Sequence, residues 1–199
     1  MSIYPAKIQQ RSASPRRCGK VEGENASGKD ASFVCGSFVR FSIRIDSESK
    51  NVSAAGFETN GCGFMTAAAD VLAEFIEDRP LIRLHGLNEV DLRSVIDNKL
   101  GIFEDNRHQC STCCIEALRA GFADYRIKQI DEFRGEMALI CTCFGVAEET
   151  IERHIVERKL ETVEDVTRAC NAGGGCGSCR MLIQEMLDSS QNHLRLRCG

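Results

Sequence analysis

Ile140-Cys-Thr-Cys-Phe-Gly-Val146 and, after a long gap, Gly174-Gly-Cys-Gly-Ser-Cys179 are the stretches that decide how this 199-residue chain is read. They hold a C-x-C pair, Cys141 and Cys143, and a C-x2-C pair, Cys176 and Cys179, with 32 residues between the pairs. Four thiolates brought together in this way make an iron–sulfur site or a structural zinc site, and the cysteines alone permit either. The Gly-rich run Gly173-Gly174-Gly175 lets backbone N–H groups point at the sulfurs, which stabilises the negative charge of a cluster. Cys176 and Cys179 are expected at the start of a helix, where the dipole favours the ligating thiolate.

Working outward, two short amphipathic helices fill the gap between the pairs. One is predicted from about Ala147 to Arg158, with Glu148 and Glu149 in its first turn, where acids suit the helix dipole. Thr162 caps the next, through Cys170, with Asp165 placed for the return contact of a capping box. A last helix is expected over 176–188, with Met181, Leu182, Met186 and Leu187 apolar, followed by a polar tail over 190–199.

Upstream, Val39, Phe41, Ile43 and Ile45 alternate with Arg40, Ser42 and Arg44, so 33–45 is predicted as a half-buried strand. Val52 to Thr59 is its expected antiparallel neighbour across a polar turn. Asn60-Gly-Cys-Gly63 opens a helix through Glu77, and Pro80 lies just past its end. A second helix, capped by Asn88, is expected to bury Val90, Leu92, Val95 and Ile96 by Leu100. A third runs from about Cys110 to Lys128, with Cys114, Ala117, Leu118, Gly121, Phe122 and Tyr125 inward. Residues 1–31 read as loop, apart from a short helix in the first dozen. The organisation expected is a first domain over 1–128, a linker over 129–137, and a second domain over 138–189.

Charge and composition exclude several classes. A net charge of −4 argues against a general nucleic-acid binder, and no apolar run is long enough to span a membrane. The N-terminus carries basic residues without an apolar core, so it does not read as a secretory signal. Twelve cysteines, several in close pairs and without an export signal, point to thiols used as ligands or nucleophiles in a reducing, cytoplasmic setting.

Three of them, Cys35, Cys62 and Cys110, each lie beside a strand or helix end in the first domain. Cys62 and Cys110 at helix N-termini are expected to be more acidic than a free thiol. Three convergent thiols make an incomplete tetrahedral site, suited to releasing what it binds; three buried small hydrophobes is the alternative. Cys113 and Cys114 share a helix face with Cys110 at i+3 and i+4 and either offers a fourth sulfur or fills the core. His108 offers an imidazole. Cys170 is expected to be an ordinary packed or exposed thiol, and Cys18 and Cys198 lie in polar termini.

The second half, Ile140-Cys-Thr-Cys-Phe-Gly-Val146 through Gly174-Gly-Cys-Gly-Ser-Cys179, resembles the bacterioferritin-associated-ferredoxin-type domain. That likeness implies one permanent 2Fe–2S cluster on Cys141, Cys143, Cys176 and Cys179. Cys35-Gly36, Glu58-Thr-Asn-Gly-Cys-Gly63 and Cys110-Ser111, each in its local setting, resemble the NifU/IscU scaffold. The pair of domains resembles NifU-type proteins, without the further C-terminal domain of longer members. The resemblance implies an α+β fold, a small antiparallel sheet with packed helices followed by a small helical domain. It also implies a transient cluster, or iron or zinc, on Cys35, Cys62 and Cys110. Sulfur would come from a cysteine desulfurase and clusters would pass to apo iron–sulfur proteins; a homodimer is compatible with it, and enzymatic turnover is not expected. Two ligand positions depart from the family, Ser37 where Asp is usual and Gln109 where His is usual; Arg107 stands where the family tends to have Lys. Those departures keep two other readings open, an electron-transfer protein whose first domain no longer builds clusters, and a zinc-binding modulator of a desulfurase.

Overall fold

The structure is a computed structural model, and it describes residues 4–132 and 139–197. In chain order the elements are α1 (Ala6–Ala13), β1 (Ala26–Ala31), β2 (Phe38–Ile45), β3 (Val52–Thr59), α2 (Gly63–Ile76), α3 (Leu81–Leu84), α4 (Glu89–Leu100), a 3-10 turn at Asp105–Arg107, α5 (His108–Glu132), β4 (Leu139–Cys141), β5 (Val146–Ala147), α6 (Glu148–Arg158), α7 (Val163–Cys170) and α8 (Arg180–Arg197). This is the expected α+β architecture. The chain divides into one unit of residues 1–46, 51–80 and 86–125, and another of 47–50, 81–85 and 126–199.

In the first unit β1, β2 and β3 form an antiparallel sheet in that order. The alternation in β2 is realised, with Val39, Phe41, Ile43 and Ile45 all buried. Phe41 lies opposite Phe57 of β3, ring centroids 6.4 Å apart, and burying each such ring contributes roughly 1.5–3 kcal/mol. The helix α2 packs against β3, α1 and α4. Its Ala67, Ala68, Ala69 and Ala73 are fully buried, so the small side chains let these neighbours come close.

Buried Asp70 of α2 ties down α1. Its carboxylate accepts from Arg11 Nε at 2.5 Å and from the Arg17 N–H at 2.9 Å, and Arg11 also pairs with Glu74. In α4, Asn88 and Asp91 form a capping box, and the buried stripe is Leu92, Ile96 and Leu100. Val90, expected inside, is 71% exposed: it precedes that i, i+4, i+8 stripe by two residues and so lies on the outer side.

Two expectations for the N-terminal third fail. The strand predicted from Phe33 begins at Phe38. Residues 32–37 form the turn between β1 and β2, closed by Ser32 N–H to Ser37 O and Gly36 N–H to Ser32 O, both 2.8 Å. Gly36 has φ +70°, a conformation that ends an extended run, and Phe33 and Val34 are exposed. Conversely, Ala26-Ser-Gly-Lys-Asp-Ala31, read as loop, is a strand. Its composition is poor for β structure, but its small inward residues are what the packing requires. A Cβ at Gly28 would lie 2.1 Å from Gly121 N and 2.2 Å from Ala117 O, so β1 runs directly against the α5 backbone. Ser27 N–H, donating to Asp124 Oδ2 at 2.8 Å, adds a second tie to α5.

In the second unit β4 and β5 form a two-stranded ladder that the sequence did not disclose. The helices α6, α7 and α8 pack on one another around Ile151, Ile155, Val166, Ile183 and Leu187. Thr162 and Asp165 make the predicted capping box of α7. α8 starts at Arg180, not Cys176, and runs to Arg197, through most of the stretch expected to be a tail. The expected linker begins inside α5, which extends to Glu132; its remainder over 133–138, like Cys198, lies outside the described residues. No described helix is long and apolar enough to cross a membrane.

Candidate metal and cluster sites

The second unit brings its four cysteines to one small pocket, lined by 140–143 and 175–179. Cys141 ends β4, Cys143 follows in the turn to β5, and Cys176 and Cys179 lie in the loop before α8. They meet as two pairs. Cys143 and Cys176 have their sulfurs 3.4 Å apart, and Cys141 is the close neighbour of Cys179. Cys141 and Cys179 are buried while Cys176 is exposed.

The loop is shaped to hold these sulfurs. A Cβ at Gly175 would fall 2.8 Å from the Cys143 Cβ and 2.9 Å from its Sγ, so only glycine lets this backbone pass. Gly173 and Gly177 have φ of +80° and +79°, turning the chain on either side of Cys176. Ser178, through its hydroxyl and its N–H, draws the Cys176 thiol down to about 7. Cys179 moves the other way, to about 11, raised by burial and then by the neighbouring Cys141 sulfur. The expected acidification by a helix start therefore fails at both positions: α8 begins only at Arg180, and Cys176 is lowered by Ser178 instead. Four thiols around a glycine-cradled pocket fit a 2Fe–2S cluster, whose irons take thiolate ligands.

His85, a residue the sequence reading passed over, belongs to the same unit. Its ring lies 5.5 Å from that of Phe144, and its Nε2 is 3.2 Å from where the Gly175 Cβ would sit. Cys170 is a packed thiol, buried and donating to Val166 O at 3.3 Å.

In the first unit Cys62 is the N-cap of α2 and Cys110 the third residue of α5, with sulfurs 3.7 Å apart. Cys35 stands exposed on the β1–β2 turn. Hydrogen bonds from Ser37 and Ser32, helped by the charge of Arg107, bring its thiol down to about 7. Burial, followed by the neighbouring Cys62 sulfur, drives Cys110 up to about 12. The expectation that the Cys110 helix terminus would acidify its thiol is therefore wrong, and the acidic thiol is Cys35.

His108 is engaged elsewhere, its Nδ1 3.2 Å from Arg93 Nη1 and its Nε2 3.6 Å from Asp105 Oδ1. Cys114 is fully buried and directed at Met65 O, 3.5 Å away. Cys113 is 6% exposed, on the side of α5 near the Asp30 carboxylate of β1. Burial, then that carboxylate, push Cys113 up to about 12. Among the described residues of the first unit, no three His, Cys, Asp or Glu side chains are placed together as a preformed ion site. The N-terminal cysteines stand as a pair, Cys62 and Cys110, with Cys35 apart on its turn.

The family described as the NifU-like N terminal domain matches residues 3–132, and the BFD-like [2Fe-2S] binding domain matches residues 139–189. Among curated relatives, the nitrogen fixation protein NifU of Azotobacter chroococcum mcd 1 is 33% identical over 184 residues, covering 92% of this chain and 58% of that protein. NifU of Nostoc sp. strain PCC 7120 is 34% identical over 193 residues, covering 92% of this chain and 63% of that protein. The iron–sulfur cluster assembly scaffold protein IscU of Aquifex aeolicus is 27% identical over 126 residues, covering 63% of this chain and 78% of that protein. This chain thus spans about six tenths of the length of the NifU proteins it matches. It belongs to the family of the NifU-like N terminal domain, joined here to a BFD-like 2Fe–2S binding domain.

Proposed function

We propose that the chain is a cytoplasmic scaffold, not a turnover enzyme, on which iron–sulfur clusters are assembled before transfer to apo-proteins. The single observation that carries this reading is the contrast between its two thiol sites. One has four cysteines in a glycine-shaped cradle. The other has a close pair, Cys62 and Cys110, and a separate exposed Cys35 whose thiol is drawn down to about 7. A closed set of four thiolates retains its cargo, whereas an open set can receive and release it.

Cys141, Cys143, Cys176 and Cys179 are the proposed ligands of the resident 2Fe–2S cluster, which when bound supplies one-electron redox chemistry. Cys35, Cys62 and Cys110 are the proposed assembly site. Cys35, exposed and partly thiolate at neutral pH, is suited to attack the outer sulfur of a desulfurase persulfide. The S–S bond of the donor breaks, its cysteine leaves as thiolate, and the persulfide now sits on Cys35. Releasing that sulfur as sulfide takes two electrons from a reductant. Cys62 and Cys110 would hold the incoming iron.

The test is desulfurase-driven assembly in the Cys62→Ala variant under anaerobic conditions with iron, cysteine and a thiol reductant. The variant is expected to keep the resident cluster's visible absorption and to build nothing further. Assembly equal to the unaltered chain would count against the scaffold reading.

A further inference from the structure

We infer that the cavity between α1, α2 and the end of α4 is a binding site for the phosphate groups of a small molecule. The site stands apart from the two sets of thiols and does not depend on the scaffold reading. The cavity holds about 440 Å³, within the range of small-molecule sites.

One face of α1 forms a wall. Lys7, Gln10, Arg11 and Ser14 recur at i, i+3, i+4 and i+7, so a single stripe lines the cavity. Arg16 joins from the loop that follows, and Lys99 and Leu100 from the last turn of α4. Asp70 of α2 lines it too, fully buried, but its carboxylate is already engaged. Oδ2 accepts from Arg11 Nε at 2.5 Å and Oδ1 from the Arg17 N–H at 2.9 Å. Arg11 reaches Glu74 as well. Lys7, Arg16 and Lys99 are exposed, and none of them forms a salt bridge among the described residues.

Lys7, Arg11, Arg16 and Lys99 thus face two carboxylates, Asp70 and Glu74, which leaves an excess of two positive charges on a chain whose net charge is −4. Like charges gathered around one cavity repel, and an anion seated among them removes that cost. A phosphate group, with about −1.5 to −2 charges at neutral pH, matches the excess. Its oxygens accept from the ammonium and guanidinium groups, and from the Gln10 amide and Ser14 hydroxyl. The described lining holds no aromatic ring on which a base could stack, so the site recognises phosphates and not a nucleobase.

The experiment is calorimetric titration of the full, cluster-loaded chain with inorganic pyrophosphate at low and at raised salt, repeated with ADP and with citrate. One pyrophosphate per chain is expected, bound more weakly as salt rises and raising the melting temperature by mass action. ADP is expected to bind no tighter than pyrophosphate, and citrate, whose carboxylates carry one charge each, more weakly. Arg16→Gln and Lys99→Gln should each weaken pyrophosphate binding about tenfold through one lost charge-assisted contact. Both side chains are exposed, so the fold is expected to be unchanged by circular dichroism. Lys159→Gln, which removes an exposed cation of the second unit, controls for overall charge and should change nothing. Neither heat nor a rise in melting temperature with pyrophosphate would overturn the inference. So would binding that Arg16→Gln and Lys99→Gln leave untouched, binding that Lys159→Gln weakens equally, or citrate bound tighter than pyrophosphate.

Discussion

Replacing Gly28 by Ala tests the packing on which the N-terminal site is built. The added Cβ would lie 2.1 Å from Gly121 N, 2.2 Å from Ala117 O and 2.7 Å from Ala120 C. Ordinary carbon contacts begin near about 3.5 Å, so β1 must retreat from α5 by more than about 1 Å. All three obstacles are helix backbone, and no side chain can rotate aside. Overpacking usually costs about 1–3 kcal/mol, and a rigid wall puts this site at the upper end, about 3 kcal/mol. For a domain of this size that is about 10 °C in melting temperature. The assay is thermal unfolding followed by circular dichroism, with Gly36→Ala as control. Gly36 has open space around its Cβ position and only its φ of +70° to strain, a cost of about 1 kcal/mol. A Gly28→Ala protein that melts within a degree of the unaltered chain, or above Gly36→Ala, would refute the β1–α5 packing.

Three further outcomes follow from the same geometry. Arg11→Ala leaves the Asp70 carboxylate, 1% exposed, without its guanidinium and should destabilise the first unit by about 3 kcal/mol in urea unfolding; a change below about 1 kcal/mol would show that the Arg17 N–H satisfies Asp70 alone. Gly175→Ala drives a methyl into the Cys143 sulfur and is expected to cost the resident cluster its stable visible absorption, while full retention would mean the loop yields. In cluster-loaded but otherwise metal-free chain, iodoacetamide should label Cys35 at a rate that climbs with pH and is half-maximal near its thiol value of about 7. Cys110, shifted to about 12, should stay unlabelled through pH 9, and peptide mapping that finds Cys110 labelled first would reverse the assignment of the acidic thiol.

Where local pattern and tertiary packing agree, the fold was open to reading from residues alone. Val39, Phe41, Ile43 and Ile45 alternate because one face of β2 is buried, and Asn88 and Thr162 carry their capping partners three residues on. The cysteine spacing likewise announced the C-terminal site. What escaped was decided by distant neighbours. Ala26-Ser-Gly-Lys-Asp-Ala31 looks like loop until α5 is known to lie against it. Cys110 looks acidic from its helix position, yet burial and the Cys62 sulfur reverse the sign. The turn holding Cys35 was absorbed into a strand because Phe33 and Val34 suit a strand, although both are exposed.

The scaffold claim is tested most directly by counting iron per chain after anaerobic reconstitution with iron, cysteine and a desulfurase. More than two irons per chain, with the excess transferable to an apo-protein and lost in Cys62→Ala, is the result this account predicts. Two irons and no more, all of them dependent on Cys176, would confine the chemistry to the C-terminal site and contradict it.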